Sequence, residues 1–80
     1  MDDNPKDRVT RASQRAADAA DRTAEAHEAA ADAHERHAQI AEQIGANLDD
    51  AHRAREQAQR LRHTAEIDRL VSEHERKIAE

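Results

Sequence analysis

Small and apolar residues recur through the first half of this chain in a seven-residue cassette. It appears five times: Arg11 to Ala17, Asp18 to Ala24, Glu25 to Ala31, Asp32 to Ala38 and Gln39 to Gly45. The second cassette position reads Ala12, Ala19, Ala26, Ala33, Ile40, and the sixth reads Ala16, Thr23, Ala30, His37, Ile44. Spacings of four and three alternate along these columns, the pattern of an a/d seam by which one helix packs on another. The expected fold is all-α, built from long alanine-rich amphipathic helices with a heptad seam.

Punctuation marks divide the chain. Residues 1–4 are expected to fray. Asn4 followed by Pro5 makes a helix start, with an Asx cap and a proline where the missing N–H costs nothing. Asp7 then sits favourably in the first turn. The cassettes carry helix 1 over residues 5–44. Gly45-Ala46-Asn47-Leu48-Asp49-Asp50 reads as a stop and restart. Glycine is suited to the left-handed position past a helix end, Asn47 to the next N-cap, and Asp49 and Asp50 to a new first turn. That places a turn at 45–47, helix 2 at 48–79, and the two helices in an antiparallel hairpin about 60 Å long at 1.5 Å per residue. The alternative is one continuous coiled-coil helix, a rod of about 110 Å. A glycine inside a helix costs only about 1 kcal/mol. The seam also crosses Gly45 in phase: Ala33 and Ile40 continue to Asn47, Ala54 and Leu61, and Ile44 continues to Ala51, Ala58 and Ala65.

Beyond Ala65 the apolar positions change side. Residues 51, 54, 58, 61 and 65 share one face at 100° per residue, while Ile67, Leu70, Val71, His74 and Ile78 lie nearly opposite. The old seam then meets Asp68, Ser72 and Glu75, which are poor core residues. Either the helix bends near Thr64, or its last four turns dock on another surface. The second expectation is preferred, and it makes residues 67–78 the main partner-facing patch. The full set expected at a protein interface is Ala12, Ala16, Ala19, Ala26, Ala30, Ala33, Ile40, Ile44, Ala51, Ala54, Ala58, Leu61, Ala65, Ile67, Leu70, Val71 and Ile78.

Composition explains why a partner is expected at all. Of the 80 residues 36% are hydrophobic, but 19 are alanine and none is aromatic. A buried methyl group is worth about 0.8 kcal/mol, whereas ordering one residue costs about 1–2 kcal/mol. A monomer with such a core is marginal, so a homo-oligomer or a helical protein partner should cover the alanine faces. The 39% charged residues, with a net charge of −5, do not imply disorder. Ala, Glu, Gln and Arg are strong helix formers, and Asp7–Arg11, Asp18–Arg22 and Asp32–Arg36 are acid-then-base pairs four apart. The absence of cysteine excludes disulfides, thiolate metal sites and cysteine nucleophiles. No apolar run reaches the length of a membrane span, and MDDNPKDR lacks the apolar region of a signal peptide. A cytoplasmic setting is expected. Eleven arginines against two lysines fit the codon usage of a GC-rich bacterial or phage genome.

Two groups of residues could carry chemistry. His34 and His37 are close enough on a helix to share an ion, with His27 two turns earlier, and Asp49, His52 and Glu56 share another face. Zinc needs three or four converging ligands, and neither group converges within one helix. The paired Glu-x-x-His motifs of di-iron bundles are missing as well. No metal or cofactor is expected, and the histidines read as helix surface. Protonating all six would still carry the net charge from −5 to +1 across the range where histidine titrates. With His37 on the seam and His27 and His34 beside it, oligomers would loosen between about pH 7 and 5.5.

The second feature is an arginine stripe, Arg55, Arg62, Arg69 and Arg76, recurring every seven residues. Residues 52–63 carry four arginines against Glu56, a local charge of +3. Such a stripe could follow a phosphate backbone. An acidic chain without aromatics to stack on bases fits that poorly, and a salt-bridging coiled-coil flank is the ordinary explanation. No glycine-rich loop and no nucleophile beside a base is present, so no catalytic residue is expected. The function expected is that of a small non-enzymatic interaction protein, an adaptor, assembly subunit or antitoxin-like neutraliser. The alternative is a nucleic-acid binder using the arginine stripe.

Overall fold

The computed structural model describes residues 4–45 and 48–80. It contains two helices, α1 (Pro5–Gln43) and α2 (Leu48–Ala79), packed against each other as an antiparallel hairpin. The hairpin measures 66 × 18 × 12 Å, which excludes the rod of the continuous-helix alternative. No strand occurs among the described residues.

Local chemistry sets the ends of the helices. The Asn4 side chain accepts a hydrogen bond from the Lys6 amide at 2.9 Å, and Pro5 occupies the first turn. At the other end of α1 the Ile44 amide still donates to the Ile40 carbonyl at 3.1 Å. Gly45 then takes φ +66°, left-handed backbone that side chains with a Cβ resist. Met1 to Asp3 of the expected frayed segment, and the expected N-cap Asn47, lie outside the described residues.

The packing register differs from the expectation in α1. Residues buried there are Ser13, Ala17, Ala24, Ala31, Ala38 and Ala41, with Ala20, His27 and His34 half-buried between them. These are the third and seventh cassette positions. The second and sixth positions expected at the helix contact face away from α2: Ala12, Ala16, Ala19, Ala26, Ala33, Ile40 and Ile44 are exposed, and Ala30 is half-buried. Ile40 and Ile44, the only large aliphatic side chains in the cassettes, set the expected register one residue early. Backbones approach closest where side chains are smallest, and the seventh position is alanine in four cassettes and glycine in the fifth. His37 moves off the seam for the same reason, while His27 and His34 move onto it.

A second difference concerns α2, which is unbroken and keeps one phase throughout. Its inner side runs Ala51, Ala54, Ala58, Leu61, Ala65, Asp68, Ser72, Glu75 and Ala79, all buried or half-buried. The face does not turn at Ala65. Asp68 and Ser72 are tolerated on the seam because each finds a polar partner on α1 (below). Ile67, Leu70, Val71 and Ile78 are left exposed on the outside of the hairpin.

The resulting core contains only small side chains. Among the described residues nine alanines, Ser13 and Ser72 are buried, and no larger side chain is fully buried.

Candidate interaction faces

Each helix flanks its seam with two different rows, and the rows give the hairpin two unlike broad faces. On α1, the residues directly following Ala20, His27, His34 and Ala41 are Asp21, Glu28, Glu35 and Glu42. On α2, those following Ala54, Leu61, Asp68 and Glu75 are Arg55, Arg62, Arg69 and Arg76. Antiparallel pairing brings these two rows together on one side. Arg55 Nε donates to Glu35 Oε1 at 3.3 Å, and its guanidinium also pairs with Glu42. Arg62 donates to Glu35 at 3.1 Å and to Asp32 at 3.4 Å. Arg69 donates to Glu28 at 2.9 Å. Arg76 reaches Asp18 at 3.4 Å and pairs with Asp21. The four arginines of the stripe are thus all engaged with carboxylates of the other helix.

Electrostatics follow this geometry. The Ser72 hydroxyl donates to Asp21 and, with the Arg76 guanidinium, holds that carboxyl below its ordinary range. Glu35 stabilises the charged form of Arg62, and Asp21 does the same for Arg76, raising both guanidinium groups further. Asp18 and Asp32, expected to pair with Arg22 and Arg36 along their own helix, reach across to α2 instead.

The opposite face is uncharged over the whole of α1. There the flanking row is Val9, Ala16, Thr23, Ala30, His37 and Ile44, backed by Ala12, Ala19, Ala26, Ala33 and Ile40. These are the columns that the heptad pattern singled out, and they form a second seam rather than the hairpin's own. Since the acidic and arginine rows share one side, the row on the other side of α2 borders this seam. It reads Asp50, Gln57, Thr64, Val71 and Ile78, with Arg53, Arg60, Ile67 and His74 behind it. Val9, Ile40, Ile44, Ile67, Val71 and Ile78 are each 45% exposed or more. Six of the eight exposed large aliphatics therefore lie on one side of the molecule. Leu70 points outward from the back of α2, and Leu48 lies on the charged side at the turn.

Of the seventeen residues expected at an interface, Ala51, Ala54, Ala58, Leu61 and Ala65 are used within the hairpin. The remaining twelve lie on its outer surface. The pattern of apolar residues did not single out the acidic row or the His27–Asp68 contact. The signal for the first was present: an acid every seven residues in α1, matched to an arginine every seven in α2.

No three His, Asp or Glu side chains among the described residues converge to hold a metal ion. His52 pairs with Glu56 at 2.9 Å, one turn apart on the surface. Thr23 and Thr64 donate to the carbonyls of Ala19 and Arg60 at 2.9 and 3.0 Å, ordinary helix back-bonds. Among the described residues no helix is long and apolar enough to cross a membrane. Comparison of the chain with family models, curated proteins and solved structures finds no match.

Proposed function

We propose that this protein is a small non-enzymatic interaction module, in which the hairpin presents its aliphatic side, uncharged along α1, to another helical protein surface. One observation carries the reading: eight large aliphatics lie outside the fold, six of them beside a row of α1 that has no charge along its length. Solvated helix surfaces ordinarily carry mixed charges, and contiguous uncharged apolar area on a soluble fold marks an interaction site. Roles of adaptor, assembly or antitoxin-like type fit such a module, in a cytoplasmic setting.

Nucleic-acid binding through Arg55, Arg62, Arg69 and Arg76 is the competing class. Its support weakens because those guanidinium groups already have carboxylate partners at 2.9 to 3.4 Å, and phosphate would have to displace them. A salt titration on duplex DNA and single-stranded RNA separates the classes. Absence of binding at low salt is expected. Salt-steep binding that disappears in Arg62→Glu would replace the interaction-module reading with the nucleic-acid one.

A further inference from the structure

We propose that the occupant of this aliphatic face, uncharged along α1, is a second copy of this chain. Two hairpins stack face to face with their turns at the same end, α1 of each lying on α2 of the other, in a four-helix bundle. The proposal rests on the interaction-module reading and gives it a partner.

Size is the first support. The face is 66 Å long and 18 Å across the two helices, about 1,200 Å², more than the about 800 Å² per partner that a stable interface needs. Its shape is that of a second hairpin of equal length.

Need is the second. The hairpin's own seam buries nothing larger than alanine and serine. A four-helix bundle buries a central layer to which all four helices contribute, and here that layer would receive Val71 and Ile78, now 45% exposed each, and Ile44, now 72% exposed.

Complementarity selects the arrangement. Arg76 reaches Asp18 and Asp21, and Arg69 reaches Glu28, so Ile78 stands about level with Ala16 and Val71 about level with Thr23. With the turns together, Ala16 of one copy receives Ile78 of the other, and Thr23 receives Val71. Large side chains then fill the spaces left by small ones. Asp50, bonded to Arg53 at 2.6 Å, comes level with Ile44 of the other copy at the turn end of the bundle. The opposite arrangement, turn over open end, lays α1 on α1 and α2 on α2. It sets Val71 against Gln57 rather than Thr23 and Ile78 against Asp50 rather than Ala16; Asp50 meets an isoleucine in both arrangements, so they differ in the space offered to Ile78 and Val71.

The test is sedimentation equilibrium on the full chain, followed by cysteine crosslinking. Wild type should sediment as two copies of the 9.0 kDa chain, and Ala30→Glu, in mid-face, should bring it to one. Ala29→Glu, outside the face, should leave the mass unchanged. In a mixture of two single variants, Ala16→Cys and Ile78→Cys, oxidation should join unlike chains. A mixture cannot close the bond within one chain, and crosslinking also reads the pairing if Ala30→Glu simply unfolds. A wild-type monomer at every concentration overturns the second copy as occupant. A dimer indifferent to Ala30→Glu overturns the face. A dimer in which Ala30→Cys joins to itself while the Ala16→Cys and Ile78→Cys mixture stays unlinked overturns the arrangement. Failure of the wider reading looks different: it would show as nucleic-acid binding lost in Arg62→Glu.

Discussion

His27 and Asp68, 41 residues apart in sequence, meet across the seam of the hairpin, the ring Nδ1–H donating to the carboxylate at 2.8 Å. The two side chains are 31% and 20% exposed, a hydrogen-bonded polar pair set next to the seam alanines Ala24, Ala31 and Ala65. The pair favours this register over the one-heptad shift that sets His27 against Leu61 and Asp68 against Ala20, which leaves both groups without a partner.

Breaking that pair should cost more than replacing it. Asp68→Leu alone leaves His27 without its acceptor, while the double variant His27→Leu with Asp68→Leu removes both polar groups. A double-mutant cycle on thermal or urea unfolding should return a coupling of about 1 kcal/mol. Coupling indistinguishable from zero would show that the contact contributes nothing to the fold.

Acid should loosen the hairpin through Asp21. Its carboxyl titrates below the ordinary 3.8 in the folded chain because Ser72 and Arg76 bind its ionised form. A depressed folded value means a contribution that is present above the unfolded value and lost as pH falls through the folded one. The melting midpoint should therefore drop as pH falls below about 4. Circular-dichroism melts of Asp21→Asn should show a shallower acid limb than wild type, and an identical limb would remove Asp21 from the account.

Overpacking the seam should be more damaging than adding bulk outside it. Ala31 has no accessible surface, so Ala31→Leu must push the helices apart and stretch the Arg62 and Arg69 ion pairs. A loss of about 1–3 kcal/mol in unfolding free energy is expected. Ala29→Leu, on the outer side of α1, should stay within about 0.5 kcal/mol of wild type.

The corner should depend on backbone conformation alone. A Cβ placed on Gly45 would meet nothing within 4 Å, yet φ is +66°. Gly45→Ala should cost about 1–2 kcal/mol through left-handed strain, and D-alanine at the same position should be tolerated. Equal melting points for L- and D-alanine would contradict a left-handed corner.

Much of the architecture was legible before any coordinates. Heptad spacing demands a helix with a packing seam, Asn4-Pro5 marks a start, and Gly45 followed by Leu48-Asp49-Asp50 marks a corner, all by local rules that need no tertiary partner. Periodicity alone could not say which of two adjacent seams the hairpin uses. Alanine is abundant on both, a shift of one residue turns the helix by only 100°, and the isoleucines stand on the seam that remains outside. Only the tertiary structure decided this. The close approach of two backbones selects the smallest column, Ala17, Ala24, Ala31 and Ala38, and the acidic row of α1 must meet the arginine row of α2. The fate of Arg55, Arg62, Arg69 and Arg76 was decided in the same way. As a sequence they are a charged stripe available to any polyanion, and in the hairpin the carboxylates of α1 reach them first.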